Sequence, residues 1–314
     1  MNPRAKRMIN RRDVLKSSVA GALSLWVPRL LKAEESVTKL TGTLAVIDAG
    51  GANVTAFSTG EGFVLVDSGA PKSGDAVMAA LRGLSPNATA NGKVQTLFST
   101  HYHLDQTANN EQFAAQGAKI ISQTRTREWM ATDYWIPAEQ RYEKARPKAA
   151  LPTETFRDHG SMKAGNEEID YGYLLMAHTS GDAYYHFKNA NVIAVGDVAS
   201  PLRDPEFDWF AGGWVGGRVD SMDLLLKISD DQTRFVPAYG AVMTKAQFKA
   251  ERDMMEEVRQ RIFDHVRAGE GPKDMLEGGT LDGLPRKWKD PFKFLYAAAK
   301  GAWAYEDKLG ENVV

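Results

Sequence analysis

The 314-residue sequence contains no cysteine. Disulfides, thiolate metal ligands and cysteine nucleophiles are thereby excluded, so a transition metal must be held by His, Asp, Glu, Tyr or side-chain amides. The compartment stays open on this count, because reduced and oxidising environments both tolerate a cysteine-free chain. The apolar run VAGALSLWV (19–27) falls well short of the ~20 residues that a bilayer span requires. Neither sign of charge dominates, with 39 Lys+Arg against 40 Asp+Glu and a net charge of −1. Gly and Pro number only 28 and 13, and 43% of residues are hydrophobic, which excludes collagen-like, low-complexity and wholly disordered chains. There is no tandem repeat, Gly-rich nucleotide loop, basic groove or coiled-coil run. The length suits two domains or one large α/β domain.

The balanced charge conceals an asymmetry. Residues 1–33 hold eight basic side chains (Arg4, Lys6, Arg7, Arg11, Arg12, Lys16, Arg29 and Lys32) and one acid, Asp13. That leaves 31 basic and 39 acidic residues in 34–314, a net of −8. An acidic body argues against a nucleic-acid partner. A basic start followed by a short apolar core is the pattern of an export signal. NRRDVLK (10–16) resembles the twin-arginine export motif, with Val14 where Phe is usual and Asn10 where Ser or Thr is usual. The expectation is an export signal over 1–33 cleaved near Ala33, the twin-arginine machinery as partner, and a periplasmic mature protein; Leu31 suits the cleavage site poorly. The bland alternative is an amphipathic arm.

In the body, residues 40–47, 53–58 and 62–67 read as consecutive strands punctuated by Gly50-Gly51 and Gly60-Glu61-Gly62. Residues 72–84 have helical spacing, 94–99 read as a buried strand, 109–116 as a short helix, 119–122 as a strand and 124–132 as a helix. The charged, Pro-flanked stretch 137–152 reads as a surface excursion. A second β-rich half follows, with strands at 168–176, 183–187 and 192–195, a helix at 220–228, a strand at 234–237, a long helix at 245–268 and a last helix at 292–308. This order fits a sheet-on-sheet sandwich flanked by helices.

The chemistry gathers at strand ends. His101-Tyr102-His103-Leu104-Asp105 follows the strand 94–99 directly. Two His at i and i+2 on a turn can converge on one cation, and imidazole with carboxylate is the donor set of zinc or iron. The strand near 173–177 ends in His178-Thr179-Ser180-Gly181-Asp182, and the strand 192–195 ends in Gly196-Asp197. Small residues let the chain turn sharply and present a ligand. Asp182 reads as a turn-fixing or ligand-orienting residue. His159, His186 and His265 lie outside these motifs and read as structural or surface residues. Trp129, Tyr134 and Trp135 read as a buried satellite cluster. Phe207, Trp209, Phe210 and Trp214 sit in a Gly-rich stretch after Asp197. They read either as a mobile lip, with Trp209 and Trp214 gripping an apolar group of substrate, or as a second satellite cluster.

The ordered motifs VDSG (66–69), THYHLD (100–105), HTSGD (178–182), GD (196–197) and PAYG (237–240) together resemble the metallo-β-lactamase-fold hydrolase superfamily over about residues 40–268. The resemblance implies a four-layer αβ/βα sandwich over 34–314, with metal at the edge between the sheets and a C-terminal helical extension over about 270–314. It implies that His101, His103 and His178 form a three-His metal site, that Asp105 belongs to a second metal, that Asp197 is the bridging carboxylate and that Asp67 supports the motif turn. Two positions depart from the family: Gln106 stands where His is usual after the motif Asp, and Tyr239 stands where the last His is usual. Both departures fall on the second site, so about one Zn²⁺ per chain is expected.

The leading expectation is an exported zinc hydrolase acting on a small molecule with a cyclic amide, ester, lactone or thioester. Asp105 would act as base or water-orienting group, and Tyr239 as proton donor. One alternative is a mononuclear iron oxidoreductase using His101, His178 and Asp197, a two-His-one-carboxylate set. Another is a catalytically inactive, metal-free binding protein. The export assignment has its own test. Arg11→Lys/Arg12→Lys is expected to leave the protein in the cytoplasm on fractionation, and normal delivery of this variant to the periplasm would contradict it.

Overall fold

A computed structural model describes residues 37–85, 91–136 and 140–309. The expected export signal, its cleavage point at Ala33, and Pro137 lie outside the described residues. The described residues belong to the compact unit Ala33–Val314.

The first half opens with β1 (Val37–Lys39), β2 (Leu44–Ala49), β3 (Ala52–Ser58), β4 (Phe63–Val66), α1 (Gly74–Leu84) and β5 (Val94–Ser99). It continues with α2 (Leu104–Thr107), α3 (Asn110–Ala114), β6 (Lys119–Gln123), α4 (Thr124–Met130), the hairpin β7 (Tyr134–Ile136) and β8 (Arg141–Glu143), and β9 (Glu154–Phe156). The second half has β10 (His159–Ala164), β11 (Glu167–Tyr173), β12 (Ala183–Phe187), β13 (Val192–Gly196), α5 (Val215–Lys227), β14 (Arg234–Pro237), β15 (Met243–Thr244), α6 (Lys245–Arg267), α7 (Pro272–Glu277) and α8 (Pro291–Leu309). One sheet runs β1-β2-β3-β4-β5-β6-β9 and the other β10-β11-β12-β13-β14-β15. The β4–β5, β5–β6, β6–β9 and β13–β14 pairs are parallel.

Four layers follow from which side chains are apolar. Leu44, Val46, Phe57, Val66 and Phe98 of the first sheet meet Ile169, Tyr185, Phe187 and Val236 of the second. The other face of the first sheet packs Ile47, Val54, Leu65 and Leu97 on Val77 and Leu81 of α1 and on Phe113. The other face of the second packs Ile193 and Phe235 on Met222 and Leu225 of α5 and on Phe248 of α6. The strands β4 and β13 are buried along their whole length, which is why they read as continuous apolar runs rather than alternating ones. This is the αβ/βα sandwich. Beyond it, α7 and α8 dock on α5 and α6 through Val219, Met255, Ile262, Met275, Leu295 and Ala298.

Several elements depart from the sequence reading, and three of the departures have a clear physical cause. The strand expected at 40–47 begins only at Leu44, because the Thr41 hydroxyl accepts from the Thr43 and Leu44 amides (3.1 and 2.9 Å) and turns the chain between β1 and β2. The strand β10 was not foreseen, since its burial alternates weakly along an edge carrying His, Gly, Ser and Lys. The helix expected at 220 begins at Val215, so Gly216 and Gly217 are not a flexible loop but the buried first turn of α5. A Cβ on Gly217 would stand 2.3 Å from the Met176 carbonyl, so glycine there permits close packing rather than motion.

Candidate metal centre

The chemistry-bearing residues lie where parallel strands end, the usual place for a site in open α/β sheets. Asp67 follows β4, His101 and His103 follow β5, Asp197 follows β13 and Tyr239 follows β14. His178 comes from the β11–β12 connection. Two backbone features fix these ends. Gly196 adopts φ +57, and a Cβ there would meet the Thr100 side chain at 2.8 Å. Gly213 lies against His178, where a Cβ would stand 1.9 Å from its carbonyl oxygen. The Asp182 carboxylate accepts from the amides of His178 and Thr179 (2.6 and 2.8 Å) and from the Thr179 hydroxyl (2.7 Å), closing the turn that carries His178.

His101, His103 and His178 each offer one nitrogen to a common point, all within 4.8 Å of one another. The other nitrogen of each ring is occupied, and this decides the tautomer. His178 Nδ1 donates to the Glu206 carbonyl at 2.8 Å, leaving the Nε2 lone pair inward. His103 Nε2 pairs with the Asp208 carboxylate at 3.0 Å, leaving Nδ1 inward, 3.0 Å from His178 Nε2. His101 Nδ1 lies 3.1 Å from the Thr100 hydroxyl, which itself donates to Asp67 at 2.9 Å. That leaves His101 Nε2 buried with no hydrogen-bond partner. Three inward lone pairs, one of them orphaned in the interior, fit a cation.

Two charge effects act on the rings: burial keeps His101 neutral, whereas at His103 burial is outweighed by the Asp208 carboxylate, which raises the ring's pKa and so favours an inward proton that a cation would displace. Burial, followed by the neighbouring His178 and His103, pushes His101 well below the usual imidazole range, so the ring is neutral and ready to ligate. Burial opposes the charge on Asp208, but the bonds from His103 and Tyr102 hold its carboxyl down at about 2. Burial pushes Asp67 up to about 8 against the two donors from Thr100. A cation among the three imidazoles favours the charged form of Asp67, so metal uptake and Asp67 ionisation are coupled.

A second group lies beside the first. Asp197 Oδ2 is 3.5 Å from His101 Nε2 and 4.0 Å from His178 Nε2. The Tyr239 hydroxyl donates to Asp105, and the Gln106 amide lies 3.5 Å from that hydroxyl. Burial, the Asp197 charge and the bond to Asp105 raise the Tyr239 phenol above its ordinary range, so at neutral pH it keeps its proton. Arg203, which sequence reasoning missed, lays its guanidinium 3.2 Å above the Tyr239 ring and contacts Asp197 at 3.3 Å.

A cavity of about 320 Å³ opens on His103 and His178. Its walls include Arg203, Phe207, Asp208, Lys293 and Phe294, but neither Trp209 nor Trp214. Of the two readings of this aromatic stretch, the packing of Trp214 fits the satellite cluster. Trp214 stacks on Tyr305 of α8 (centroids 4.4 Å apart) and abuts Phe263 of α6. Trp209 borders Phe210 and Lys300. The stretch is pinned to the metal loop, with the Asp208 amide donating to the His178 carbonyl at 2.9 Å and the Gly213 amide to the Asp208 carbonyl at 2.8 Å. Asp208 and Tyr102 were also missed; Tyr102 donates to Asp208 and stacks on Trp129. The signal for Asp208 was an acid set among aromatics, which attention to the rings concealed. Of the remaining His, His186 is buried in β12, His159 is exposed, and His265 pairs with Glu270 and Thr280.

The sequence profile of the metallo-beta-lactamase superfamily matches residues 47–284, and the chain belongs to that superfamily. A comparison with curated proteins finds no significant sequence match. Among solved structures, the chain is similar in fold to a metallo-beta-lactamase from Pontibacter korlensis, at 16% identity and TM-score 0.56, covering 70% of this chain and 98% of that one. It is also similar to the stereoselective inverting sec-alkylsulfatase Pisa1 from Pseudomonas sp., at 13% identity and TM-score 0.61, covering 88% of this chain and 50% of that one.

Asp208 is expected to set the metal affinity through His103. Asp208→Ala should weaken binding by about 10–100-fold, read by competition with a chelating dye. An unchanged affinity would show that the His103–Asp208 pair does not orient the ring for a metal.

Proposed function

We propose that this protein is a metal-dependent hydrolase with one zinc ion held by His101, His103 and His178, acting on a small molecule with a cyclic amide, ester, lactone or thioester. The observation that carries the proposal is the convergence of His101 Nε2, His103 Nδ1 and His178 Nε2, each with its opposite nitrogen tied elsewhere. Bound zinc would supply a Lewis acid and a water whose pKa falls toward ~7.

The chain's own groups have distinct work. Asp197, with Oδ2 facing the same point, orients the nucleophile or completes the ligand set. Tyr239, kept as a neutral phenol, is a proton donor for a developing oxyanion or leaving group, a role that a phenolate could not fill. Asp105 accepts a hydrogen bond from the Tyr239 hydroxyl in the resting state, which aims the hydroxyl while the proton stays on the phenol. Phe207 and Phe294 give the cavity an apolar wall for the body of the substrate. Delivery to the periplasm by the twin-arginine route, which carries folded proteins, suits an enzyme loaded with metal before export.

The iron reading draws on His101, His178 and Asp197. It leaves His103 idle, although His103 Nδ1 stands only 3.0 Å from His178 Nε2 and its far nitrogen is held by a carboxylate. Parallel metal contents of His103→Ala and His178→Ala separate the two. The zinc hydrolase predicts that both variants lose most of the metal and the hydrolytic activity. The iron oxidoreductase predicts that His103→Ala keeps its metal while His178→Ala does not. Full retention in both would overturn both readings.

A further inference from the structure

Resting on the zinc-hydrolase reading above, we infer that Arg203 is the resident cation of the position where two-metal relatives would carry a second ion, and that it keeps a second metal out. The family resemblance assigns that position to Asp105, the residue at 106, Asp197 and the residue at 239. In this chain those groups are already engaged with one another. Asp105 takes the Tyr239 hydroxyl, Gln106 supplies only a neutral amide, and Asp197 pairs with the Arg203 guanidinium at 3.3 Å. The guanidinium also covers the Tyr239 ring at 3.2 Å, placing a fixed positive charge against the same two side chains that would have to grip an ion. A divalent cation entering there would meet that charge at close range and would have to break both pairs.

Arg203 is not a loose surface side chain that drifted into the gap. Its backbone carbonyl accepts from Arg286 Nη1 at 2.7 Å, and the neighbouring Ser200 carbonyl accepts from Arg286 Nη2 at 2.8 Å. The Ser200 amide donates to Glu251 of α6 at 2.7 Å, and the Ser200 hydroxyl accepts from the fully buried Arg218 of α5 at 2.8 Å. Helices behind the second sheet and the segment following α7 thus hold the loop from Ser200 to Arg203. Such a buried network is costly unless its geometry is kept, and it fixes the direction from which the guanidinium enters the site.

The guanidinium also borders the cavity shared by His103 and His178, so it is a positioning group for the reaction as well as a guard. It holds Asp197 on one side and Tyr239 on the other, in the place of an exchangeable ion. Unlike a metal, it cannot dissociate from the chain or act as a Lewis acid on a coordinated water.

Zinc titration of the full chain, read by calorimetry and by metal analysis after equilibrium dialysis, tests this without reference to activity. Wild type is expected to take one tight equivalent. Arg203→Met keeps the aliphatic stem over Tyr239 but removes the charge, and should bind a second equivalent at least about tenfold more tightly than wild type. Arg203→Lys should behave as wild type, and Arg203→Met/Asp197→Asn should lose the gain. A tight first equivalent with the second unchanged in Arg203→Met overturns this inference alone, as does a wild type that binds two equivalents tightly. A wild type with no tight equivalent overturns the hydrolase reading and this inference with it.

Discussion

Three imidazole nitrogens with their lone pairs turned toward one another, two on buried rings and one on a half-buried ring at the cavity wall, repel unless something positive lies between them. The rest of the site is arranged to maintain that tension. A carbonyl holds His178 from behind, a carboxylate holds His103, and a hydroxyl backed by a buried carboxylate holds His101. Each outer bond fixes a tautomer, and each would be weakened if its ring rotated to relieve the repulsion. The cluster is therefore preorganised: its cost is met by the surrounding fold, and a metal recovers that cost on binding.

The sandwich provides the rigidity this requires. The parallel pairs β4–β5 and β13–β14 end at one edge, where Asp67, His101, Asp197 and Tyr239 emerge from strands buried along most of their length. Gly196 and Gly213 then allow backbone and side chain to approach more closely than a Cβ would permit. The helices α5 to α8 are not a passive addendum. Through Arg218 and Glu251, with Arg286 from the segment between α7 and α8, they hold the loop bearing Arg203, and α8 captures Trp214, which anchors the loop that carries Asp208. Metal site, neighbouring charge and C-terminal helices are in this way one mechanical unit.

What was legible in the sequence, and what was not, follows from range. His101, His103 and Asp105 are close neighbours in the chain, and a strand followed by H-x-H-x-D carries its meaning locally. The sandwich was legible because continuous apolar runs and helical spacing alternate in order. The strand β10 was not, because an edge strand buries little and leaves a weak pattern. Gly216 and Gly217 suggested a loop because composition alone does not distinguish a glycine that moves from one that lets Met176 come close. Arg203 and Asp208 were hidden for a related reason. Asp208 acts on a partner brought near only by folding, since His103 lies 105 positions away, and Arg203 covers the ring of Tyr239 at another strand end, although Asp197 is only 6 positions from it. Trp209 and Trp214 drew attention as large rings in a Gly-rich stretch, yet Trp214 serves packing, while the apolar wall of the cavity comes from Phe207 and Phe294.

The central claim is a single metal in a three-imidazole site beside a position already filled by protein. X-ray absorption at the metal edge of protein purified without chelator tests it most directly. The account predicts a zinc edge, scattering from three imidazoles at about 2.0–2.1 Å, and no metal–metal vector near about 3.5–4 Å. A metal–metal vector at full occupancy, or an iron edge in place of zinc, would contradict it.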